Sequence, residues 1–146
     1  PPRSTLFPYT TLFRSRLYIY LAIGHNTNKQ HFFSLEDRLS ILRATFQHEE
    51  RLHVTHFTGL TVNFCQEAGA SFIIRGVRNT GDFENEKAIL EMNQKLKRDI
   101  ETVLLTTHPN YTAISSTIVR EIIRNRGDLT AFVPEVAARA IQEKLP

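Results

Sequence analysis

The sequence predicts a single three-layer α/β domain built around a parallel sheet. Strand-length apolar runs alternate with helical patterns from residue 17 to residue 145, and the segments between them are mostly short. This alternation is typical of βα units with parallel strands and right-handed crossovers. The first apolar run, residues 17–23, is continuous, which predicts a strand covered on both faces. A chain of 146 residues suffices for one domain that buries roughly 70% of its unfolded surface.

The first helix is predicted to begin at Ser34, whose hydroxyl can cap it, with Asp37 as the capping-box-like partner three residues on. The apolar residues that follow recur at helical spacing and predict one buried stripe. These residues are Leu35, Leu39, Leu42 and Phe46.

The remaining elements follow from the same patterns. Strands are predicted at 52–57, 72–74 and 102–107, and a short helix at 60–68 should end at Gly69 with Phe64 and Ala68 inward. The later helices are expected to bury apolar residues at helical spacing: Ile89, Met92 and Leu96 after Asp82, then Ile118, Val119, Ile122 and Ile123 after residues 115–117, and finally Ala137, Ile141 and Leu145 after a first-turn Pro134.

Composition narrows the class of protein. The hydrophobic fraction of 41% and charged fraction of 23% are ordinary for a globular protein. A net charge of +3 suits an anionic substrate, and the aromatic residues are not interleaved with basic clusters as they are on nucleic-acid-stacking surfaces. The single cysteine, Cys65, excludes an internal disulfide and favours a cytoplasmic setting. No apolar run approaches the roughly 18 residues that a membrane span needs.

Residues 1–15, PPRSTLFPYTTLFRS, do not resemble the rest of the chain. The triplet Thr-Leu-Phe occurs twice, at 5–7 and 11–13, and each copy is associated with an Arg-Ser pair. A secretory signal would need a longer apolar core and a small-residue cleavage site, which this segment lacks. We interpret residues 1–15 as a non-native segment, such as translated adapter sequence, and residues 16–146 as the functional domain.

A candidate anion site follows the third predicted strand. Arg75, Gly76 and Arg78 lie at the end of the apolar run 72–74, and the carboxyl ends of parallel strands are where α/β sheets bind ligands. Two guanidiniums can fork onto phosphate oxygens, and a glycine lets the backbone approach a bulky anion. The alternative is that the two arginines form surface ion pairs with the acidic residues Asp82 and Glu84.

Other polar groups are predicted to converge on the same cleft. Lys29 follows the first strand, Glu86 lies on the helix after the arginines, and Ser115, Ser116 and Thr117 open a later helix. A helix N-terminus flanked by hydroxyls favours anions through its free N–H groups and its dipole. The alternatives are an ordinary N-cap at 115–117 and a solvated loop lysine.

These motifs resemble those of the phosphopantetheine adenylyltransferases, within the nucleotidylyltransferase superfamily. The resemblance covers 17 to about 145 and is carried by I-R-G-V-R at 74–78, D-F-E-x-E at 82–86 and I-S-S-T-x-x-R at 114–120. The serine-rich helix start identifies only the superfamily, whereas the first two motifs are specific to the family. The resemblance implies a Rossmann-like nucleotidylyltransferase fold, transfer of AMP from ATP to 4′-phosphopantetheine in coenzyme A biosynthesis, magnesium bound mostly through the nucleotide, and a hexamer.

The same resemblance implies roles for individual residues. Lys29 would contact the phosphates of both substrates, Arg75 would hold the phosphopantetheine phosphate, and Thr61 would contact the pantetheine arm. Lys29 and Arg78 are the predicted catalytic residues. The predicted ATP-binding residues are Gly76, Val77, Arg78, Glu86, Tyr111, Thr112, Ala113, Ile114, Ser115, Ser116 and Thr117, the last three against the outgoing phosphates.

The sequence departs from the family pattern at two places. Asn85 stands where the family usually has Tyr, and residues 1–15 contain neither the first strand nor the T/H-x-G-H motif, whose Thr and His neutralise the reacting phosphate. We therefore expect the first strand to be absent and apolar sheet surface to be exposed. The Gly24-His25 pair is not a substitute, because it lies in the loop that matches the lysine loop of the family, and His25 is therefore not expected to be catalytic.

Two alternatives to this function remain open. One is a nucleotidylyltransferase with another phosphate acceptor, such as nicotinate mononucleotide. The other is a non-catalytic subunit that binds ATP or coenzyme A without turnover, which the missing T/H-x-G-H motif favours.

Overall fold

The structure, a computed structural model, describes residues 17–26, 28 and 30–145. The segment predicted to be non-native and the predicted catalytic Lys29 lie outside the described residues. Strands and helices alternate as predicted. In chain order they are β1 Ile19–Gly24, α1 Leu35–Thr45, β2 Leu52–Phe57, α2 Thr61–Ala68, β3 Phe72–Val77, α3 Thr80–Leu96, β4 Glu101–Thr106, a 3₁₀ turn Pro109–Tyr111, α4 Ser116–Arg124 and α5 Glu135–Gln142.

The strands form two separate parallel pairs. β1 pairs with β2 in the register Ile19↔Leu52, and β3 pairs with β4 in the register Phe72↔Glu101. The prediction of parallel strands is therefore confirmed. Within the described ranges, no backbone ladder joins one pair to the other.

The helices pack on the strands and on one another. Phe64 of α2 stacks on Phe57 and packs edge-on against Tyr20, which places α2 on one face of the β1–β2 pair. α1 contacts β2 and α5, and α2 contacts α3, which in turn contacts β3 and β4.

Helix α2 links the two strand pairs. Its Phe64 stacks on Phe57 of β2, and its Val62 and Cys65 pack with Ile73 of β3. The first strand that the resemblance implies has no counterpart among residues 17–26, 28 and 30–145.

Local capping signals set several helix ends. Ser34 caps α1 by accepting a hydrogen bond from the Asp37 N–H at 3.0 Å and donating to its carboxylate at 2.6 Å, as predicted. Gly69 ends α2 in the left-handed conformation, with φ of 66°. Two predicted starts were displaced: α3 begins before Asp82, because Asn79 caps it, and Pro134 is the N-cap of α5 rather than a first-turn residue.

Two apolar clusters form the core. One joins Val62 and Cys65 of α2 to Ile73 of β3 and to Ile100. The other packs α4 and α5 together through four buried residues, Ile123, Leu129, Ala138 and Ile141. Of the helix positions predicted to be inward, Leu39, Ile123, Ala137 and Ile141 are buried.

Of the burial predictions for two helices, one was confirmed in part and one was wrong. In α2 the predicted inward residues Phe64 and Ala68 are half-buried, and Phe64 stacks on Phe57, while the fully buried residues are Val62 and Cys65. In α3 the inward stripe contains Asp82, Glu86, Leu90 and Asn93, because the two carboxylates pair with arginines of the β3 end. The apolar residues predicted to be buried on α3, namely Ile89, Met92 and Leu96, are exposed.

Apolar sheet surface is exposed, as predicted from the missing strand. The face of the β3–β4 pair opposite α3 carries Phe72, 63% exposed, and Ile74, 61% exposed. On the same face Val103 is the register partner of Ile74 and Leu105 is that of Gly76, and both are exposed. The prediction that 17–23 would be covered on both faces was wrong for its first half, where residues 17–20 are exposed. No helix in the described part of the chain is long and apolar enough to span a membrane.

Candidate active site

Two open depressions lie at the carboxyl ends of the two strand pairs. The larger, of about 560 Å³, is lined by the ends of β1 and β2 and by the predicted substrate residue Thr61. The smaller, of about 280 Å³, is lined by Val77, Arg78 and the first turn of α3, together with Thr106 and Thr107 after β4. Ligands of open α/β sheets bind at this edge. The predicted site is therefore located at the end of the sheet where its chemistry would be expected.

Arg75 and Glu86 form a two-pronged ion pair across the junction of β3 and α3. Arg75 Nε donates to Glu86 Oε2 at 2.7 Å, and Nη2 donates to Oε1 at 2.6 Å. The hydrogen bond to Glu86 raises the pKa of the Arg75 guanidinium. The pair uses one edge of the guanidinium and leaves the Nη1 end available to a phosphate.

Arg78 is bonded more extensively than Arg75. Its Nε and Nη2 donate to the two carboxylate oxygens of Asp82 at 2.7 Å and 3.1 Å, and its backbone N–H donates to the same carboxylate at 3.1 Å. The guanidinium also donates from Nη1 to the carbonyl oxygen of Ile114 at 3.0 Å. The hydrogen bonds that Asp82 accepts, first from the Arg78 side chain and then from its backbone N–H, hold the pKa of Asp82 below its ordinary value.

The predicted helix start at residues 115–117 is confirmed as a helix N-terminus. Ser115 is the N-cap of α4, and its hydroxyl accepts a hydrogen bond from the Ile118 N–H at 3.2 Å. Ser116 and Thr117 are exposed in the first turn, where the backbone N–H groups of a helix have no intrahelical acceptor. The ordinary N-cap that we kept as an alternative therefore exists, and it leaves the N–H groups of Ser116 and Thr117 available for an anion.

Glycine at position 76 is not required by the packing of the described protein atoms. A Cβ built on Gly76 would meet no heavy atom within 4 Å. Gly76 lies on the exposed face of β3, beside Arg75 and Val77. The open space is compatible with the predicted close approach of a ligand to this part of the backbone.

The structure brings together most of the predicted site residues that it describes. Arg75, Gly76, Val77, Arg78 and Glu86 surround the end of β3. Ile114 joins them through Arg78, and the 3₁₀ turn that contains Tyr111 leads into the Ser115 cap. Thr61 lies separately, in the larger depression between β2 and α2.

The ion-pair alternative was half right. Arg78 does pair with Asp82, but Arg75 pairs with Glu86 instead of Glu84, which is exposed. Both side-chain pairs lie at the predicted site, so pairing and ligand binding are not exclusive here.

Two residues have structural features that the sequence analysis did not predict. His25 lines the larger depression, and its Nδ1 is buried without a hydrogen-bond partner among the described residues. Asp82 was predicted as a motif residue and as an alternative ion-pair partner of the arginines, and in the structure it makes three hydrogen bonds with Arg78. The signal for Asp82 was its spacing of four residues from Arg78, at the start of a helix that faces the strand end.

The described residues do not form a metal site of their own. No group of three or more His, Cys, Asp or Glu side chains that could hold a metal ion occurs among them. The carboxylates of the cleft, Asp82 and Glu86, are already engaged by arginines. A divalent cation at this place would need oxygen ligands from a bound molecule.

The arrangement can bind and orient phosphates without a nucleophilic side chain. It presents two guanidiniums and a helix N-terminus at one sheet edge, which suits charge neutralisation in phosphoryl or nucleotidyl transfer.

Comparison with known proteins agrees with this chemistry. Residues 10–122 match the profile of the cytidylyltransferase-like family, so the fold is that of a Rossmann-type cytidylyltransferase-like domain. A phosphopantetheine adenylyltransferase of Flavobacterium psychrophilum is 48% identical over 117 residues, 80% of this chain and 77% of the relative. Another phosphopantetheine adenylyltransferase, from Staphylococcus carnosus, is 40% identical over 126 residues, 86% of this chain and 78% of the relative. The chain belongs to the phosphopantetheine adenylyltransferase family.

Proposed function

We propose that this protein transfers AMP from ATP to 4′-phosphopantetheine, giving dephospho-coenzyme A and pyrophosphate. The observation that carries the proposal is the meeting of Arg75, Arg78 and the Ser115 helix start at one sheet edge, through the hydrogen bond from Arg78 to Ile114. Membership of a family whose named relatives are phosphopantetheine adenylyltransferases supports the identity of both substrates.

In the proposed reaction, a phosphate oxygen of 4′-phosphopantetheine attacks the α-phosphorus of ATP. A new P–O–P bond forms, the bond from the α-phosphorus to the β-phosphate oxygen breaks, and pyrophosphate leaves with that oxygen. No side chain forms a covalent intermediate, so the rate depends on positioning and charge neutralisation. Arg75 orients the attacking phosphate, while Arg78 and the N–H groups of the α4 start stabilise the phosphates of ATP. Lys29 is proposed to contact the phosphates of both substrates.

The larger depression is proposed to hold the pantetheine arm. Thr61 lines it next to Gly59 and Thr58, and Phe57 supplies an apolar wall. A slender chain of amides and methylenes requires this combination of backbone polar groups and apolar surface. The pantetheine arm would then extend from this depression to the guanidinium of Arg75.

Magnesium is proposed to enter with ATP, because the described carboxylates do not form a ligand set for it. When bound, Mg²⁺ would supply charge neutralisation on the phosphate oxygens.

We further propose a cytoplasmic location and a homo-oligomer, which the family resemblance implies to be a hexamer. The exposed apolar stripe on α3, formed by Ile89, Met92 and Leu96, supports association with a second copy, and sedimentation velocity tests it.

The decisive experiment is pyrophosphate release from ATP plus 4′-phosphopantetheine. The chain is run beside a version in which residues 1–15 are replaced by the strand and T/H-x-G-H turn implied by the resemblance. Activity in the second version alone would support the assignment and the view that residues 1–15 are non-native, because loss of a phosphate-stabilising donor costs about 10²–10³ in rate.

The other outcomes point elsewhere. Activity in both versions would make His25 or the front segment a catalytic candidate. ATP binding without turnover in either would favour the non-catalytic alternative. Turnover only with nicotinate mononucleotide would favour the other acceptor.

A further inference from the structure

We propose that Asp82 is a positioning residue that holds the α4 helix start in place through Arg78. In this arrangement Asp82 orients the Arg78 guanidinium, and the guanidinium holds the carbonyl of Ile114, which immediately precedes the Ser115 cap. The identification of the ligand as the phosphates of ATP rests on the proposed function. The hydrogen-bonded connection from Asp82 through Arg78 to Ile114 does not rest on it.

The connection rests on four hydrogen bonds that meet at Arg78. Three join Arg78 to the carboxylate of Asp82, at 2.7 Å, 3.1 Å and 3.1 Å. The fourth, from Nη1 to the Ile114 carbonyl at 3.0 Å, crosses 36 positions of sequence. Asp82 is itself immobilised, because its N–H donates to the capping side chain of Asn79 at 2.9 Å.

The loop at residues 108–115 has few hydrogen bonds to other elements. Its remaining hydrogen bonds are local: Asn110 N–H to the His108 ring, Tyr111 N–H to His108, Thr112 N–H to Pro109, Ile114 N–H to Tyr111, and the Ser115 cap to its own helix. Among the residues that the structure describes, the bond from Arg78 is the hydrogen bond that ties this loop to β3 and α3. Packing against α5 holds the body of α4, so the bond from Arg78 sets where the loop places the first turn of α4 relative to the strand end.

Arg78 can hold the loop and contact a phosphate at the same time. A guanidinium has five N–H donors, and the side-chain bonds to Asp82 and Ile114 use three of them. Two donors remain on the Nη atoms. A carboxylate is the acceptor that fixes such a fork, because it takes two parallel N–H···O bonds and neutralises the charge of the arginine. Asparagine has a single carbonyl oxygen and cannot accept the same pair.

The test compares the full-length chain with Asp82→Asn and with Glu84→Gln, which removes an exposed charge two residues away on the same helix. Hydrogen exchange is followed at the amides of Tyr111, Ile114 and Ile118, and ATP binding is measured by calorimetry. We expect Asp82→Asn to accelerate exchange at Tyr111 and Ile114 and to weaken ATP binding about 10- to 100-fold, the range for a lost hydrogen bond to a charged group. Glu84→Gln should change neither quantity.

Each outcome has a distinct meaning. Unchanged exchange at Tyr111 and Ile114 in Asp82→Asn would overturn the proposal, as would acceleration spread evenly over β3 and β4, which would indicate general loosening. If Asp82→Asn does not fold, Arg78→Lys replaces it, since lysine keeps the charge but cannot bridge Asp82 and Ile114 in the same geometry. Accelerated loop exchange supports the proposal there too, and unchanged exchange overturns it. A wild-type chain that does not bind ATP counts against the proposed function, while the exchange data still decide the role of Asp82.

Discussion

The guanidinium of Arg75 is held by the carboxylate of Glu86 in a two-pronged pair, Nε to Oε2 at 2.7 Å and Nη2 to Oε1 at 2.6 Å. The carboxylate side chain is 15% exposed, whereas the arginine side chain is 47% exposed. The carboxylate is therefore the fixed partner, and the arginine presents its free end to solvent. Helix α3 orients both cations of the strand end in this way, Arg75 through Glu86 and Arg78 through Asp82.

Replacing Glu86 by Gln is expected to weaken binding of 4′-phosphopantetheine about 10-fold, because Arg75 loses one of its two charge-assisted hydrogen bonds and with it a defined orientation. The affinity is measured by calorimetry, with Glu91→Gln, an exposed change on the same helix, as the control. Tighter binding in Glu86→Gln would contradict the prediction, since it would mean that Glu86 competes with the substrate phosphate for Arg75.

The stability of the protein should fall in acid through its hydrogen-bonded aspartates. Hydrogen bonds from Lys144, and then from Ser34, hold the pKa of Asp37 below its ordinary value, and Asp82 and Asp128 are shifted in the same direction. A carboxyl group with a lowered folded pKa stabilises the protein above its unfolded pKa of about 3.9, and this stabilisation disappears as the pH falls through the folded value. Urea unfolding should give a free energy that is flat from about pH 7 to pH 5 and declines below about pH 4.

The Asp37 contribution can be isolated with Asp37→Asn. This variant should be less stable than wild type at pH 7, and its free energy of unfolding should decline less in acid. Glu36→Gln, which removes an exposed neighbouring charge, serves as the control. An acid decline in Asp37→Asn as steep as that of wild type would show that Asp37 contributes nothing to the transition.

Core and sheet-face leucines should differ sharply in their effect on stability. Leu129 is 2% exposed in the cluster with Ile123 and Ile141, so Leu129→Ala should cost about 2–5 kcal/mol in the free energy of unfolding. Leu105 is 53% exposed on the face of the β3–β4 pair, and Leu105→Ala should cost less than about 1 kcal/mol. Urea unfolding measures both. Equal costs would mean that the exposed sheet face is covered in solution.

Gly69 should be sensitive to substitution because of its backbone conformation. It ends α2 with φ of 66°, and its N–H donates to Gln66 at 3.2 Å. Gly69→Ala should lower the free energy of unfolding by about 1 kcal/mol, and Gly69→Asn should cost less, since asparagine tolerates the left-handed region. The same urea series measures this, and the prediction fails if alanine and asparagine are equally well tolerated.

Part of the candidate site could be predicted because its signals are local. Arg75, Gly76 and Arg78 follow an apolar run directly, and Ser115 precedes a helical pattern, so strand end and helix start could be recognised from neighbouring residues. The contact that assembles them, from Arg78 to Ile114, joins positions 36 apart, and no pattern within a segment encodes it. The pairing of an arginine with Asp82 was among the alternatives, but the connection from Asp82 through Arg78 to the α4 start was missed for the same reason.

The sequence by itself determined the elements, the helix signals at Ser34 and Gly69, and the family, because propensity, capping and motifs act over a few residues. The tertiary structure alone decided which side of α3 faces inward. The apolar residues Ile89, Met92 and Leu96 predicted one side, but pairing with the arginines at the end of β3 turned Asp82 and Glu86 inward instead. It also decided which strands pair, because the β1–β2 and β3–β4 ladders join segments that are separated by a whole helix in the sequence.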